Sequence, residues 1–332
     1  MPPPTERPVR ISTTLTALLD IEHPILLAPM GDTAGGHLAA AVSEAGGFGL
    51  IGGGYADPTW LAAELDAAGG ARVGVGFITF ALDRRPGTLD LALEAASPAI
   101  QLSFGDPRPY VERIRAAGAL LICQVQSPAE VDLAVEARAD VIVAQGRDAG
   151  GHGRPDRATI GLVPSVVDRV TPIPVVAAGG IADGRGLAAA LMLGAAGVSM
   201  GTRFLASSSA RSNPAESAAL VAGSAADTVR SPVFDVVRGP AWPDGHDGRA
   251  LRNRLTERWE HDTDHHALEA LYRASEPDDY SVRPLWAGEG LDLVTTIDDP
   301  RTIIDRTVDE AIGRLGSAQS LLGPRHAPGK QG

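Results

Sequence analysis

The sequence predicts an α/β fold: a (β/α)8 barrel of the TIM type with an additional, mostly helical segment after its eighth strand. Three observations predict it. Short apolar runs alternate with alanine-rich runs of helical spacing. The apolar runs are continuous, which is typical of parallel strands buried on both faces. Eight such units end near residue 204, the number that a barrel needs; a doubly wound open sheet is the alternative.

Each predicted strand is a short apolar run that ends in or near glycine. In chain order the strands are PILLAPM (24–30), FGLIGG (48–53), RVGVGFI (72–78), AIQLSFG (99–105), ALLICQV (119–125), VIVAQG (141–146), PVVAAGG (174–180) and GVSMGTRF (197–204). Between them lie helical runs such as HLAAAVSEAGG and SPAEVDLAVEARA. Asp57-Pro58 and Ser127-Pro128 each place a capping side chain before a proline, which is typical of a helix start.

The predicted domain organisation follows from where strands and helices alternate along the chain. Residues 1–14 form a flexible N-terminal tail, and residues 15–204 form the barrel. Residues 205–290, here named the insertion segment, break the rhythm and are expected to cover the barrel mouth as a lid. Residues 291–322 close the barrel with a C-terminal helix, and residues 323–332 form a second flexible tail rich in proline, glycine and charge.

Composition and charge exclude several classes of protein. The chain has 332 residues, of which 44% are hydrophobic, and a net charge of −12, so we expect neither a nucleic-acid surface nor an anionic-membrane surface. No apolar run reaches the roughly 20 residues needed to span a bilayer. The N-terminus has no apolar secretory region, so we expect a cytoplasmic protein. The one cysteine, Cys123, excludes a disulfide framework and is interpreted as a buried small hydrophobe.

Chemistry in such a barrel collects at the carboxyl ends of the strands, where the βα loops meet. Glycine is dense at these positions, which indicates a ligand that approaches the backbone closely. The loops after strands seven and eight are the usual phosphate site of this fold. Here they offer Gly179, Gly180, Gly201 and Thr202, whose N–H groups and hydroxyl suit a phosphate.

Three stretches, in order and at strand ends, resemble the nitronate monooxygenase family, formerly called 2-nitropropane dioxygenases. They are PILLAPMGDTAGGHLAAAVSEAGGFGLIGGG, VIVAQGRDAGGHGR and PVVAAGGIADGRGLAAALMLGAAGVSMGTRF. The related FMN-dependent enoyl-acyl-carrier-protein reductases share much of the same scaffold. The resemblance covers residues 16–204 and is weaker beyond them.

This resemblance implies a barrel that holds FMN without a covalent bond. It places the first strand end under the flavin ring and the glycines of the last two strands at the phosphate. The implied cofactor-binding residues are Ala28, Pro29, Met30, Gly76, Gln124, Gln145, Gly150, Gly151, Ala178, Gly179, Gly180, Met200, Gly201 and Thr202. No metal site is expected, because the stretch HDTDHH (261–266) is interpreted as a solvated helix face.

Two copies of the sequence AGGH lie in different contexts. The first ends at His37, in the opening turn of a helix, and is interpreted as a structural βα turn. The second ends at His152, in the loop after strand six that points into the barrel mouth. The resemblance implies that His152 faces the flavin as the catalytic residue. A histidine suits removal of a proton next to a nitro group, and its protonated ring stabilises the nitronate.

The function implied is FMN-dependent oxidation of alkyl nitronates or nitroalkanes with dioxygen to carbonyl compounds and nitrite, by a possible homodimer. Two alternatives stay open. One is an FMN-dependent NAD(P)H enoyl-thioester or quinone reductase. The other is a barrel that binds a phosphorylated ligand without redox chemistry, as an isomerase, lyase or binding protein.

Two residues depart from the family pattern. Gly76 stands where an asparagine is often found beside the flavin, and Glu289, in WAGEG, replaces an expected glutamine near the mouth. Asp148 is a candidate for orienting His152, and Arg203 is a candidate for assisting the phosphate site. Trp242, Trp259 and Trp286 either line an apolar pocket or simply pack.

Overall fold

A computed structural model describes residues 9–240, 242–261 and 264–322. Of the two tails expected to be flexible, residues 1–8 of the first and the whole of 323–332 lie outside the described residues. Asp262 and Thr263, in the middle of HDTDHH, also lie outside them.

The eight predicted barrel strands are all present. They are β1 (Ile25–Leu27), β2 (Leu50–Gly54), β3 (Gly74–Ile78), β4 (Ala99–Ser103), β5 (Leu120–Val125), β6 (Val141–Gln145), β8 (Val175–Ala178) and β9 (Gly197–Met200). Three further short strands, β7 (Gly151–Gly153), β10 (Thr228–Ser231) and β11 (Asp247–Leu251), form a separate antiparallel sheet in the order β10-β11-β7.

The barrel strands are parallel and follow one another around a ring. Their order is β1-β9-β8-β6-β5-β4-β3-β2. A parallel bridge between Leu26 and Phe48 joins the two ends, with Leu27 N–H donating to Phe48 O at 3.0 Å and Phe48 N–H donating to Ile25 O at 2.9 Å. The sheet is therefore closed, and the predicted (β/α)8 barrel is confirmed.

Helices follow the strands as the alanine-rich runs predict. The barrel helices are α1 (Thr14–Leu19), α2 (Gly36–Glu44), α3 (Pro58–Ala67), α4 (Thr79–Leu82), α5 (Thr88–Glu94), α6 (Val111–Ala116), α7 (Pro128–Glu136), α8 (Thr159–Val170), α9 (Gly184–Met192), α10 (Thr202–Leu205) and α15 (Pro300–Ser317). Asp57 and Ser127 accept hydrogen bonds from the first-turn N–H groups of α3 and α7, as their sequence positions predict. Within the described ranges, no helix is long and apolar enough to cross a membrane.

Both faces of the barrel sheet are buried. Side chains such as Ile25, Val75 and Ile100 point outward and pack under the helices. Others, including Leu26, Phe48 and Val143, point inward and fill the lower barrel. Helix α1 closes the bottom, since Leu15 and Leu19 belong to the same inner cluster. Cys123 is buried in the outer layer, and burial raises the pKa of its thiol to about 12.

The insertion segment adds helices and two strands over the mouth. Its helices are α11 (Pro214–Ala222), α12 (Val233–Arg238), α13 (Arg254–Trp259) and α14 (His265–Ala274). Its strands β10 and β11 build the small sheet, and the third strand of that sheet, β7, belongs to the loop after β6. The segment is therefore joined by main-chain hydrogen bonds to the loop that carries His152. Helix α15 then packs between α9 and α2 and completes the ring.

Candidate active site

The top of the barrel interior combines small side chains with amides. A Cβ built on Gly201 would lie 3.5 Å from Ala28 Cβ and 3.4 Å from Met30 Sδ, and one built on Gly76 would lie 3.7 Å from Gln101 Cβ. Ala28 N–H also donates to Met200 O at 3.0 Å. The structure thus brings together several of the residues expected around the flavin, and their small size leaves room above the apolar core.

Pro29 explains why position 76 is glycine. A Cβ at Gly76 would lie 2.3 Å from Pro29 Cβ and 2.4 Å from Pro29 Cγ, a separation that real Cβ atoms do not reach. The proline ring therefore occupies the space that an asparagine side chain at position 76 would need. A polar contact to a ligand here has to come from another residue.

Two buried amides supply unpaired polar atoms beside Gly76. Gln101 is 1% exposed, and its Nε2 lies 3.3 Å from Ser103 Oγ and 3.5 Å from Gln124 Oε1. Within the described part of the chain, Gln101 Oε1 and Gln124 Nε2 have no hydrogen-bond partner. Buried polar groups without partners are costly, so their presence points to a ligand with matching groups. The edge of a flavin ring carries both N–H and C=O groups, and this pair fits it.

The loops after β8 and β9, which are expected to bind a phosphate, also have groups that suit an anion. Gly179 and Gly180 have φ angles of 110° and 70°, in the left-handed region that favours glycine. Their N–H groups, and that of Gly201, donate no hydrogen bond within the described residues. Thr202 Oγ1 accepts the Gly288 N–H at 3.1 Å, which leaves the hydroxyl proton free to donate. Three N–H groups and one hydroxyl thus remain available for an anion.

The segment WAGEG lies over the loop that precedes His152. A Cβ on Gly150 would lie 2.6 Å from the carbonyl carbon of Ala287 and 2.7 Å from Gly288 N, so only glycine fits at position 150. Glu289 N–H donates to Asp148 O at 2.8 Å. Gly150 and Gly151 are therefore close-approach and turn positions at the edge of the expected cofactor site, with φ 69° at Gly151.

His152 is fixed by backbone contacts on two sides. It lies in β7 and pairs with Gly248 of β11 in the antiparallel register. On the barrel side, Gln145 Nε2 donates to His152 O at 2.8 Å. Gln145, expected at the cofactor, therefore also connects the end of β6 to the histidine strand.

Asp235 holds the imidazole from the insertion segment. His152 Nε2 lies 2.8 Å from Asp235 Oδ1 and 2.9 Å from Oδ2, and both side chains are 10% exposed. A carboxylate only accepts, so Nε2 carries the proton and Nδ1 keeps its lone pair when the ring is neutral. Burial lowers the pKa of His152 below its ordinary value of 6.5, although Asp235 acts in the opposite direction. Burial therefore favours the neutral ring, with the proton on Nε2 and the lone pair on Nδ1.

Trp242 covers one face of this imidazole. The two ring centroids are 3.6 Å apart and the planes differ by 1°. Phe80 and Phe104 stand edge-on to the indole at 5.1 Å and 5.0 Å, and Trp242 Nε1 donates to the Tyr55 hydroxyl at 2.9 Å. The indole thus joins the loops after β2, β3 and β4 to the histidine, and keeps bulk water from that face.

Two arginines from the small sheet hold the histidine loop. Arg230 donates through Nη1 to Gly153 O at 2.8 Å and through Nη2 to Arg147 O at 3.0 Å. Its cross-strand neighbour Arg249 pairs with Glu289 at 2.8 Å. Burial, with Arg249 nearby, lowers the pKa of Arg230 to about 10. Glu289, the departure from the expected glutamine, therefore balances charge in this pair.

Two other candidates, Asp148 and Arg203, have structural roles, and His37 is exposed. Asp148 Oδ2 accepts the Thr159 N–H at 2.7 Å, so Asp235, and not Asp148, orients His152. Arg203 pairs with Asp298 at 2.5 Å and donates to a backbone carbonyl, away from the expected role in phosphate binding. His37 is exposed at the start of α2, as interpreted from the sequence.

Sequence reasoning missed Asp235, Tyr55 and Gln101. Asp235 lies in the insertion segment, where nothing local marks it, since its partner is 83 residues away. Tyr55 comes directly after the glycines of β2, and Gln101 lies one inward position below the end of β4. Inward alternation along β4, in register with Gly76, is the signal that could have identified Gln101.

Taken together, the fold and site define a (β/α)8 barrel with a buried histidine–aspartate pair above a cradle of glycines and amides. Family comparison identifies the class as an oxidoreductase. The family model for nitronate monooxygenase matches residues 12–72 and 76–309. The chain belongs to the nitronate monooxygenase family.

Individual proteins of known sequence or structure are similar to this chain over most of its length. A nitronate monooxygenase, npaC, from Metarhizium robertsii is 38% identical, over 90% of this chain and 93% of that protein. FabK from Thermotoga maritima superposes with a TM-score of 0.80 and 32% identity, over 94% of this chain and all of that one. The nitroalkane oxidase of Streptomyces ansochromogenes superposes with a TM-score of 0.75 and 27% identity, over 92% of this chain and all of that one.

Proposed function

We propose that this chain binds FMN without a covalent bond and oxidises nitroalkanes and alkyl nitronates with dioxygen to carbonyl compounds and nitrite. The observation that carries the proposal is the His152–Asp235 pair, buried at the mouth of a barrel of the nitronate monooxygenase family. A neutral imidazole with a free nitrogen is the group that abstraction of a carbon-bound proton needs.

The residues that would hold FMN are those at the strand ends. Gly179, Gly180, Gly201 and Thr202 would bind the phosphate through N–H groups and a hydroxyl, and Ala28–Met30 would lie under the ring. Gln101 and Gln124 would bind the polar edge of the ring with their unpaired atoms. When bound, FMN supplies the electron acceptor for the nitronate and the site at which dioxygen is reduced.

Proton removal is the step that this chain's own residues perform. His152 Nδ1 accepts the proton from the carbon next to the nitro group, and the electron pair of the broken C–H bond moves onto the nitro oxygens. The Asp235 carboxylate accepts the hydrogen bond from His152 Nε2–H throughout and stabilises the imidazolium that forms. Trp242 adds a ring face to the same cation and excludes water from it.

Two additions to the purified protein, ethyl nitronate and a reduced nicotinamide cofactor, test this function against its alternatives. Purified protein should be yellow, with flavin absorbance near 450 nm, and should consume oxygen when ethyl nitronate is added. NADH or NADPH added without oxygen should leave the flavin colour unchanged, whereas rapid bleaching would favour the enoyl-thioester or quinone reductase. A colourless protein that FMN does not tint would favour the barrel without redox chemistry.

The homodimer and the cytoplasmic location expected from the sequence stay predictions.

A further inference from the structure

Proton removal next to a nitro group creates an anion whose charge lies on two oxygens. Preformed donors at that place lower the barrier, because the charge develops only as the proton leaves. His152 donates nothing to these oxygens while its Nδ1 is accepting the proton. Other groups beside the imidazole therefore have to bind them.

Tyr55 has a hydroxyl proton available at this place. Its oxygen accepts the Trp242 Nε1–H at 2.9 Å, and Trp242 in turn lies flat on His152. Among the residues that the structure describes, nothing accepts the hydroxyl proton of Tyr55. The hydrogen bond from Trp242 uses a lone pair and leaves the O–H bond to point elsewhere. The hydroxyl is thus anchored, half-buried and able to donate.

Arg238 brings a positive charge to the same place. It lies three residues after Asp235 on α12, so the two side chains share one side of the helix. Burial raises the pKa of Tyr55 and lowers that of His152, and the charge of Arg238 favours a lower pKa for each. Within the described ranges Arg238 has no ion pair, whereas Arg203, Arg211, Arg230 and Arg249 all have carboxylate or carbonyl partners.

The neighbouring acidic groups have other partners or face solvent. Asp235 is bound to His152, and Asp32, which also acts on Tyr55, is exposed. Glu269, which lines a surface depression together with Arg238, pairs with Arg273 at 2.9 Å. In a chain with a net charge of −12, an unpaired cation beside a buried base favours binding of an anion at that spot.

We propose that the Tyr55 hydroxyl and the Arg238 guanidinium bind the two oxygens of the substrate's nitro group and stabilise the nitronate formed when His152 takes the proton. This inference rests on the proposed function and names the residues that make the site specific for a planar, two-oxygen anion next to an acidic carbon.

Propanoate is a suitable probe, because its carboxylate replaces the nitro group of nitroethane and no proton has to be removed. Its dissociation constant is measured by titration calorimetry on the full-length protein as purified, at constant ionic strength. We expect Tyr55→Phe and Arg238→Met each to weaken propanoate binding about 10-fold or more, the usual loss for a hydrogen bond to a charged group. Arg238→Lys should recover part of the loss.

One control variant separates this role from a general effect of charge. Arg185→Met removes an exposed cation that pairs with Asp183 at the start of α9, outside the insertion segment, and we expect no change. Thermal melting of each variant checks the fold.

The proposal is overturned if wild-type protein does not bind propanoate, or if Tyr55→Phe or Arg238→Met binds it unchanged. It is also overturned if Arg185→Met abolishes binding. Nitroethane turnover is measured separately. A protein that binds propanoate through these residues but leaves nitroethane untouched would refute the proposed function and keep this anion site.

Discussion

At the scale of single residues, the base role proposed for His152 depends on neighbours that come from distant parts of the chain. The loop after β6 carries the imidazole. Asp235 determines which ring nitrogen is free, and Trp242 covers one face of the ring. Burial and the carboxylate act on the pKa of His152 in opposite directions, with burial the larger effect. The pH dependence of turnover therefore reports this balance.

The Asp235→Asn variant tests that balance. In the wild type, turnover of neutral nitroethane should rise with pH through a pKa below 6.5 and then level off, because the proposed base accepts a proton only in its neutral form. Asparagine removes the interaction that raises this pKa, so the acid limb should move to lower pH. We also expect kcat to fall about 100-fold, since the imidazolium loses its carboxylate. Initial rates between pH 5 and 8 measure both effects.

If the acid limb of Asp235→Asn moved to higher pH, the predicted direction of the change in the pKa of His152 would be wrong. Asp156→Asn is a matched control, because its carboxylate pairs with Arg154 on the exposed surface. Its profile should equal that of the wild type.

The contact between Gly76 and Pro29 gives a second prediction at the residue scale. Gly76→Asn places a Cβ 2.3 Å from Pro29 Cβ, so the proline has to move. We expect the free energy of unfolding to fall by about 1–3 kcal/mol, as in other overpacked interiors. Urea unfolding measures the loss, and adding Pro29→Gly to the same chain should restore part of it. An unchanged midpoint for the single variant would show that the proline does not fill this space.

Residue-level prediction from sequence succeeds where a residue's role is fixed by its own strand. Position relative to a strand end placed the expected glycines and Gln124 at the mouth, and the structure brings Ala28, Met30, Met200 and Gly201 together there. Asp235 and Tyr55 have no such local signal, because their importance depends on a partner reached only after folding.

At the scale of elements, the small β10-β11-β7 sheet joins the insertion segment to the barrel. It sets the position of His152 through main-chain pairing and through Arg230, which reaches the carbonyls of the loop before and after the histidine. The sequence predicted the eight barrel strands because each is a continuous apolar run. It did not predict β10 and β11, since β10 is stabilised by pairing with β11, and β11 also pairs with residues of the histidine loop, as Gly248 does with His152.

Arg230→Met tests the importance of that sheet. The variant leaves several carbonyl groups of the histidine loop without donors, and we expect a loss of about 2–4 kcal/mol in the free energy of unfolding. Turnover of nitroethane should fall as well, because the loop that holds His152 loses its support. Urea unfolding and initial rates measure the two effects. The exposed Arg185→Met variant should change neither, and equal stability of both variants would refute the role given to Arg230.

At the scale of the whole molecule, the barrel and insertion segment surround a cradle with polar groups that are open to a ligand. Within the described ranges, Gln101 Oε1, Gln124 Nε2 and the N–H groups of Gly179 and Gly180 have no partner in the protein. Ligand binding should therefore stabilise the entire fold.

FMN addition to flavin-free protein tests this coupling. At a free FMN concentration 100 times the dissociation constant, we expect about 2.7 kcal/mol of added stability. Thermal melts with and without FMN measure it, and riboflavin, which has no phosphate, should stabilise less. Equal stabilisation by both compounds would contradict the assignment of the glycine loops to the phosphate.

The most direct test of the central claim compares two substrates in one variant. His152→Ala should retain its flavin absorbance near 450 nm and lose turnover of neutral nitroethane, because no base remains to take the proton. It should still oxidise preformed ethyl nitronate, from which the proton has already gone. Oxygen consumption measured on both substrates decides the matter. Unchanged turnover of neutral nitroethane in His152→Ala would contradict the account.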